Sequence, residues 1–291
     1  MMKFLFVIVF LVGASVQDNI NGTDGSEYLY NAIKSGKVDV VTFLIDNGTN
    51  VNSFENSGLT PLQLAVAKGQ TEIFKILIEH GADVNYVNKK NIPLLQIAAM
   101  FDNLEICKIL VANGTNVNAN NNKFTPLHSA ALFGSNDTVE YLIEHGANVA
   151  AEDGLKFTPL HWAAMAGNLK TCKSLIAHGA DVNAKAEGNF TPLHASAVLG
   201  NKESVEYLIT QGANVNAIGG MGKASMHTPL HDAYYFSNKE MQEVLIANKA
   251  DENAKDKNNK TPREMDTEKG KIERSGLVAF INDGKRMFQN L

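Results

Sequence analysis

The chain has 291 residues, 44% of them hydrophobic and 20% charged, with 26 basic and 31 acidic side chains giving a formal charge of −5. This is the composition of a soluble folded protein. The excess of acid excludes a general phosphate-binding surface, so no nucleic-acid partner is expected, and no polybasic run marks a membrane patch.

At the N-terminus Lys3 precedes the apolar run Phe4 to Val12, followed by the small residues Gly13, Ala14 and Ser15. This is the basic, apolar and small-residue pattern of a secretory signal peptide. The run is short of the ~20 residues a membrane helix needs, so no stable membrane anchor is expected. An uncleaved signal anchor is the alternative. The reading assigns residues 1–16 to a signal peptide and 17–26 to a polar, flexible lead, and it makes the chain a secreted protein. Sequons for N-glycosylation stand at Asn21, Asn47, Asn113, Asn136, Asn189 and Asn259. Asn47 and Asn113 lie in turns open to modification, Asn189 leads into a packed turn, and chance occurrence in an Asn-rich chain is the competing account.

Beyond the lead the chain repeats. Thr125-Pro126-Leu127-His128 returns at Thr158, Thr191 and Thr228, with a partial copy at Thr60-Pro61-Leu62-Gln63 and a worn one at Thr261-Pro262. The block's leucines, Leu62, Leu95, Leu127, Leu160, Leu193 and Leu230, are separated by 33, 32, 33, 33 and 37 residues. A fixed period of this length means one supersecondary unit stacked many times. Within the unit Thr125 is an N-cap and Pro126 takes the first helical position. Ala130 and Ala131 allow close helix approach, and Gly134 closes the first helix. A second helix then carries Val139, Tyr141, Leu142 and Ile143 and ends at Gly146. Neither helix can bury its apolar face alone, so stacking must hold both.

In order, residues 27–52 form a first repeat that lacks Thr-Pro but keeps Leu29 at the motif leucine, as an N-terminal cap would. In the third repeat Pro93-Leu94-Leu95-Gln96 opens the helix and Asp102 replaces the mid-repeat glycine. A four-residue insertion within Ile218–His227 lengthens the connection before Thr228. Ser237 and Lys249 replace glycines in the seventh repeat. The eighth is polar through Arg274, and Leu277 to Ile281 suggest a last helix. Cys107 and Cys172 occupy the same buried slot two repeats apart, ~20 Å at the usual helix spacing, which is too far for a disulfide. Both are read as buried free thiols.

Thr-Pro-Leu-His, the Ala-Ala pair, the mid-repeat Gly and Gly-Ala-Asp-Val-Asn (Gly81–Asn85, Gly179–Asn183) resemble the ankyrin repeat. The resemblance covers about residues 27–265, with 266–291 as C-terminal cap and tail. It implies an all-α ankyrin-repeat solenoid of about seven to eight helix-turn-helix repeats with β-hairpin fingers. It also implies that His128, His161, His194 and His231 hold turns by hydrogen bonding. One histidine per repeat, ~8–10 Å from the next, cannot converge on a metal. No P-loop, dinucleotide fingerprint or nucleophile elbow is present. No catalytic residue, cofactor or metal is assigned, and the chain is read as no enzyme.

In the family, the residue before each Thr-Pro and the two residues before the mid-repeat glycine face the concave side. Here those positions predict an apolar partner-binding strip of Phe101, Phe124, Leu132, Phe133, Phe157, Met165, Phe190, Leu199, Tyr235 and Phe236, since exposed apolar strips mark interaction sites. The alternative is that neighbouring fingers and helices bury these side chains in a self-supporting ladder. The expected function is a secreted, non-catalytic, monomeric module that binds another protein through the concave groove. Secreted proteins resembling it occur among arthropod venom components and host-directed effectors. An intracellular ankyrin scaffold with a misread signal peptide is the first alternative. A membrane-active toxin like the spider latrotoxins is the second.

Overall fold

The computed structural model describes residues 25–53, 59–85, 92–121, 123–133, 136–199, 201–220 and 226–265. The expected signal peptide, nearly all of the lead, Asn21, Gly134, the middle of the insertion and the C-terminal helix over Leu277–Ile281 lie outside these residues.

Fourteen α-helices and no β-strand occur among the described residues, as the all-α repeat reading expects. They run α1 Ser26–Lys34, α2 Val38–Asp46, α3 Pro61–Ala67, α4 Thr71–Glu79, α5 Leu94–Met100, α6 Leu104–Ala112 and α7 Pro126–Phe133. The series continues as α8 Asn136–Glu144, α9 Pro159–Met165, α10 Leu169–Ala177, α11 Pro192–Leu199, α12 Lys202–Thr210, α13 Pro229–Tyr235 and α14 Lys239–Ala247. The described residues divide into two compact units, one ending at Leu94 and the other beginning at Leu95.

In the first unit α1 packs on α2 and α3, and α4 packs on α2 and α3. Leu29 is fully buried, as expected of the motif leucine, and Tyr30 beside it stands in the histidine register. Its hydroxyl reaches the carbonyls of Ser53 and Leu59, so a phenol ties the first repeat to the next turn. At α3 the side chain of Gln63 accepts from Thr60 N–H while Gln63 N–H donates to Thr60 Oγ1, a reciprocal cap that fixes the helix start.

In the second unit α7, α9, α11 and α13 form an inner row, each packed on the next, and α6, α8, α10, α12 and α14 form an outer row. The 3-10 turn Pro262–Met265 packs on α13 and continues the inner row. Inner helices of seven or eight residues are too short to persist alone. They persist because almost every side chain is enclosed, with Ala130, Ala131, Ala163 and Ala164 at zero exposure. Outer helices of nine residues bury one stripe, such as Thr138, Val139 and Leu142 on α8.

Glycine matters where the backbone turns left-handed against a neighbour. Gly167 has φ 67°, and a Cβ there would come within 3.0 Å of Asn201 N. Where the sequence lacks glycine the backbone keeps the same conformation: Asp102, Ser237 and Lys249 have φ of 58°, 52° and 66°. Tertiary packing holds them there against the steric cost of a Cβ.

The fingers carry, among the described residues, less strand pairing than the hairpins implied by the resemblance. Among the described residues pairing is reduced to the isolated bridges Asn121–Phe124 and Gly219–His227. Tight turns such as Asp153 N–H to Phe157 O and Ala186 N–H to Phe190 O use up the backbone groups that a longer ladder would need. Asparagines then link finger bases across repeats. Asn118 donates to Gly146 O and accepts from Asn148 N–H, and Asn183 does the same with Gly212 O and Asn214 N–H. Cys107 and Cys172 are fully buried free thiols, as expected. Burial pushes both thiols up to about 12, with Asp102 adding to the effect at Cys107.

Candidate protein-binding surface

The strip expected from the sequence lies wholly within the second unit and divides into a floor and a rim. Leu132, Phe157, Met165, Phe190 and Phe236 are the floor, with exposures of 4%, 3%, 3%, 1% and 9%. The exposure expected for these five is not found. Phe157 lies parallel to Phe190 with ring centroids 5.5 Å apart and an interplanar angle of 4°. Met165, Val198 and Phe236 complete the same enclosed cluster. Neighbouring fingers thus cover one another's aromatics, as in the ladder alternative.

Phe101, Phe124, Phe133, Leu199 and Tyr235 are half-buried and form the rim. Phe124 stacks on His128 at 5.0 Å and meets Trp162 edge-on at 5.6 Å. Tyr235 stands perpendicular to Phe236, and with Leu199 it packs against the floor cluster. Apolar rims seated on rigid buried rings lose little side-chain freedom on binding.

Trp162 was not singled out by the sequence reading, although it is the chain's one tryptophan and follows His161 directly. It bridges Phe124 and Phe157, half-buried, and its indole Nε1–H donates to Asp153 Oδ2 at 3.0 Å. Asp153 Oδ1 also accepts the N–H groups of Leu155 and Phe157, so one carboxylate shapes the finger and orients the indole. Leu155, Ile218 and Met226 were missed as well. They stand on the fingers with 51%, 58% and 49% exposure. Leu155 had a signal in the sequence, a large apolar side chain among Glu152, Asp153, Gly154 and Lys156, and Ile218 and Met226 stand near the two ends of the insertion.

The histidines are structural. Each Nδ1 accepts the threonine N–H of its own turn, at 3.1 Å for Thr125, Thr158 and Thr228 and 3.2 Å for Thr191. Each Nε2 then carries the proton and donates to a carbonyl of the next finger: Phe157, Phe190, His227 and Lys260. Burial depresses the basicity of all four rings, that of His161 to about 4. In the third of these fingers His227 replaces the phenylalanine. Its ring lies 3.1 Å from Asp232 and 3.8 Å from Asp256 and stacks on His231 at 5.6 Å. Among the described residues no group of three or more His, Cys, Asp or Glu is arranged to hold a metal.

A family profile described as "Ankyrin repeats (3 copies)" matches residues 2–88, 85–153 and 150–219, and one described as "Ankyrin repeat" matches residues 226–257. No curated protein sequence matches the chain. Among solved structures it is similar to the human ASB11 ankyrin repeat domain, with 28% identity and a TM-score of 0.64 over 76% of this chain and 97% of that one.

Proposed function

The chain belongs to the ankyrin-repeat family, whose members are generally non-catalytic protein-interaction modules, and from that premise we propose that the second unit recognises its partner with the rim of the aromatic strip. The observation that carries this reading is that Trp162, Leu199 and Tyr235, half-exposed, pack against a floor of stacked, buried rings, with Phe124 meeting Trp162 and with Phe101 and Phe133 half-exposed at the register of Leu199 in earlier repeats. Aromatic side chains held rigidly at the edge of a desolvated core are the usual anchors of a protein interface. The buried five residues contribute by fixing the rim and make no contact with the partner.

The partner is met outside the cell in this reading, because Lys3, the run Phe4–Val12 and the small residues after it have the pattern of a secretory signal. Among the described residues no helix is long and apolar enough to cross a membrane. A venom component or host-directed effector fits that setting, and an intracellular scaffold is the reading to which the protein reverts if the N-terminus is not an export signal.

Photo-crosslinking tests the surface. Benzoyl-phenylalanine placed at Phe124 or Leu199 is expected to give covalent adducts with the partner, and the same group at Lys170 on α10 to give none. Adducts of equal yield from α10 would move the interface off the concave side. Retention of Met1 in the protein recovered from the medium or cells of its source would remove the export reading and leave the binding surface untouched.

A further inference from the structure

The fingers of the second unit carry a charge opposite to that of the chain. On the tip segments 119–124, 151–157, 184–190 and 254–260, six lysines are exposed, against two exposed glutamates, Glu152 and Glu187. Asp153 and Asp256 turn inward and are buried. Their oxygens are occupied by backbone N–H groups of Leu155 and Phe157 in one finger and of Asn258 and Lys260 in the other. Among the described residues Lys123, Lys156 and Lys185 take part in no salt bridge, while Lys255 and Lys260 lie within electrostatic reach of the exposed Glu264 carboxylate. The molecule as a whole is acidic, with formal charge −5, so this basic row is local to the fingers.

Backbone geometry adds a second observation. The residue two before each threonine is left-handed in all five fingers: Lys123, Lys156, Asn189, Met226 and Asn259 have φ of 67°, 62°, 57°, 50° and 63°. Glycine or asparagine suits that conformation, and Asn189 and Asn259 conform. Lysine and methionine bear a steric cost there and gain no burial, since Lys123 and Lys156 are exposed and Met226 is 49% exposed. Strain retained at exposed positions is a feature of sites that contact something else. Leu155 and Ile218 add exposed apolar surface to the same tips.

We infer that the finger row binds an acidic polypeptide segment carrying apolar side chains, with Asp or Glu carboxylates on the finger lysines and apolar groups on Leu155, Ile218 and Met226. The inference rests on the proposed concave interface and names the chemistry of its partner. Alternating charge and exposed apolar surface favours a peptide over a nucleic-acid backbone, which would be met by charge alone. Complementary charge of this kind steers encounter and falls with salt.

The probe is a fluorescein-labelled 16-residue peptide of alternating Glu and Leu or Phe, titrated by anisotropy against the full chain. Controls are the same peptide with Lys for Glu, and a single-stranded oligonucleotide of equal charge. The acidic peptide is expected to bind saturably and to weaken about tenfold when salt rises from about 50 to 300 mM. A loss of about tenfold or more is expected in Lys123→Glu/Lys156→Glu/Lys185→Glu. Lys108→Glu/Lys170→Glu, on the outer helices, should change binding less than twofold, and circular dichroism checks that both variants fold. Equal binding of the lysine peptide, tighter binding of the oligonucleotide, indifference to the finger reversal, or no saturation below about 1 mM each overturns the inference. Indifference to the finger reversal with loss on Phe124→Ala would discard the acidic partner and keep the concave interface. Indifference to both would discard the two together.

Discussion

His161 donates its Nε2–H to the carbonyl oxygen of Phe190 at 3.0 Å while its Nδ1 accepts the N–H of Thr158 at 3.1 Å. Only a neutral imidazole with its proton on Nε2 can do both. The ring therefore ties the start of α9 to the finger of the following repeat, and with His128, His194 and His231 it forms a row of such ties along the second unit. Stability of that row depends on the rings remaining neutral.

Acid should therefore begin to loosen the second unit above the range of carboxylate titration. Burial holds the His161 pKa at about 4, against 6.5 when exposed. Between those values the unfolded chain takes up a proton that the folded chain refuses. The stabilisation is complete above about pH 6.5 and is lost as pH falls toward 4, where it levels off. For His161 alone the full span corresponds to about 3 kcal/mol, and the other three rings shift in the same direction. Urea denaturation at intervals from pH 7.5 to 4 measures the slope. His161→Gln, which retains the cap as Gln63 does for α3, should lower stability at pH 7 by about 1 kcal/mol and flatten the acid limb. An unchanged limb in that variant would exclude His161 as its source.

The repeat and its helix starts were legible because they depend on neighbours three or four residues away, whereas the turn-holding role of the histidines came with the family resemblance and their Nε2 bonds reach carbonyls 29 or 33 residues on. Thr158 and Pro159 start a helix wherever they occur, and His161 is placed to reach back to Thr158. The fate of Phe124 and Phe157 was not legible, since both occupy the same register and both looked exposed. Phe157 is covered by Phe190 and Trp162, while Phe124 stacks on His128 and meets the edge of Trp162, with no phenylalanine of the next finger stacked on it among the described residues. Burial of a finger residue is decided by a side chain one repeat away, and periodicity carries no information about that side chain. The left-handed backbone at Asp102, Ser237 and Lys249 was obscured in the opposite way. Loss of the glycine looked like a departure from the fold, whereas packing preserved the turn and the residue bears the strain.

Truncation of the two phenylalanines should separate floor from rim. Phe157→Ala removes a ring 3% exposed that touches Phe190, His161 and Trp162, and a cost of about 3–5 kcal/mol is expected. Phe124→Ala removes a half-buried ring and should cost about 1–2 kcal/mol while weakening partner binding. Thermal denaturation of the two variants side by side checks the order. Equal losses would mean that the rim is part of the core.

Lys249→Gly should stabilise the protein. Lys249 follows α14 at φ 66°, where the other repeats close on glycines such as Gly179 and Gly212 at φ 89° and 92°. Its carbonyl accepts from Asn216 Nδ2, a contact that the substitution retains. Relief of the left-handed Cβ clash is worth about 1–2 kcal/mol, offset in part by the greater freedom of glycine when unfolded. A gain of about 0.5–1 kcal/mol is expected in urea denaturation. A loss would mean that the lysine side chain contributes more than the strain.

The finger of Leu155 should depend on one carboxylate. Asp153 is 5% exposed and receives three donors: Leu155 N–H at 2.8 Å, Phe157 N–H at 2.9 Å and the Trp162 indole at 3.0 Å. Asp153→Ala leaves these donors without their acceptor, two of them in the finger that packs Phe157. Hydrogen bonds to a charged acceptor contribute about 1.5–3 kcal/mol each, and exposed finger N–H groups recover part of that from water, so a net loss of about 2–4 kcal/mol is expected. Asp153→Asn keeps an acceptor for the backbone N–H groups but turns its amide toward the indole N–H, where two donors meet. It should fall between wild type and Ala. Because Trp162 is the only tryptophan, its fluorescence reports the third bond separately. Both variants should shift its emission to the red, Ala more than Asn, before any global unfolding. If Asp153→Ala unfolds within about 0.5 kcal/mol of wild type with an unshifted emission maximum, Asp153 does not hold the finger and Trp162 is oriented by Phe124 and Phe157 alone.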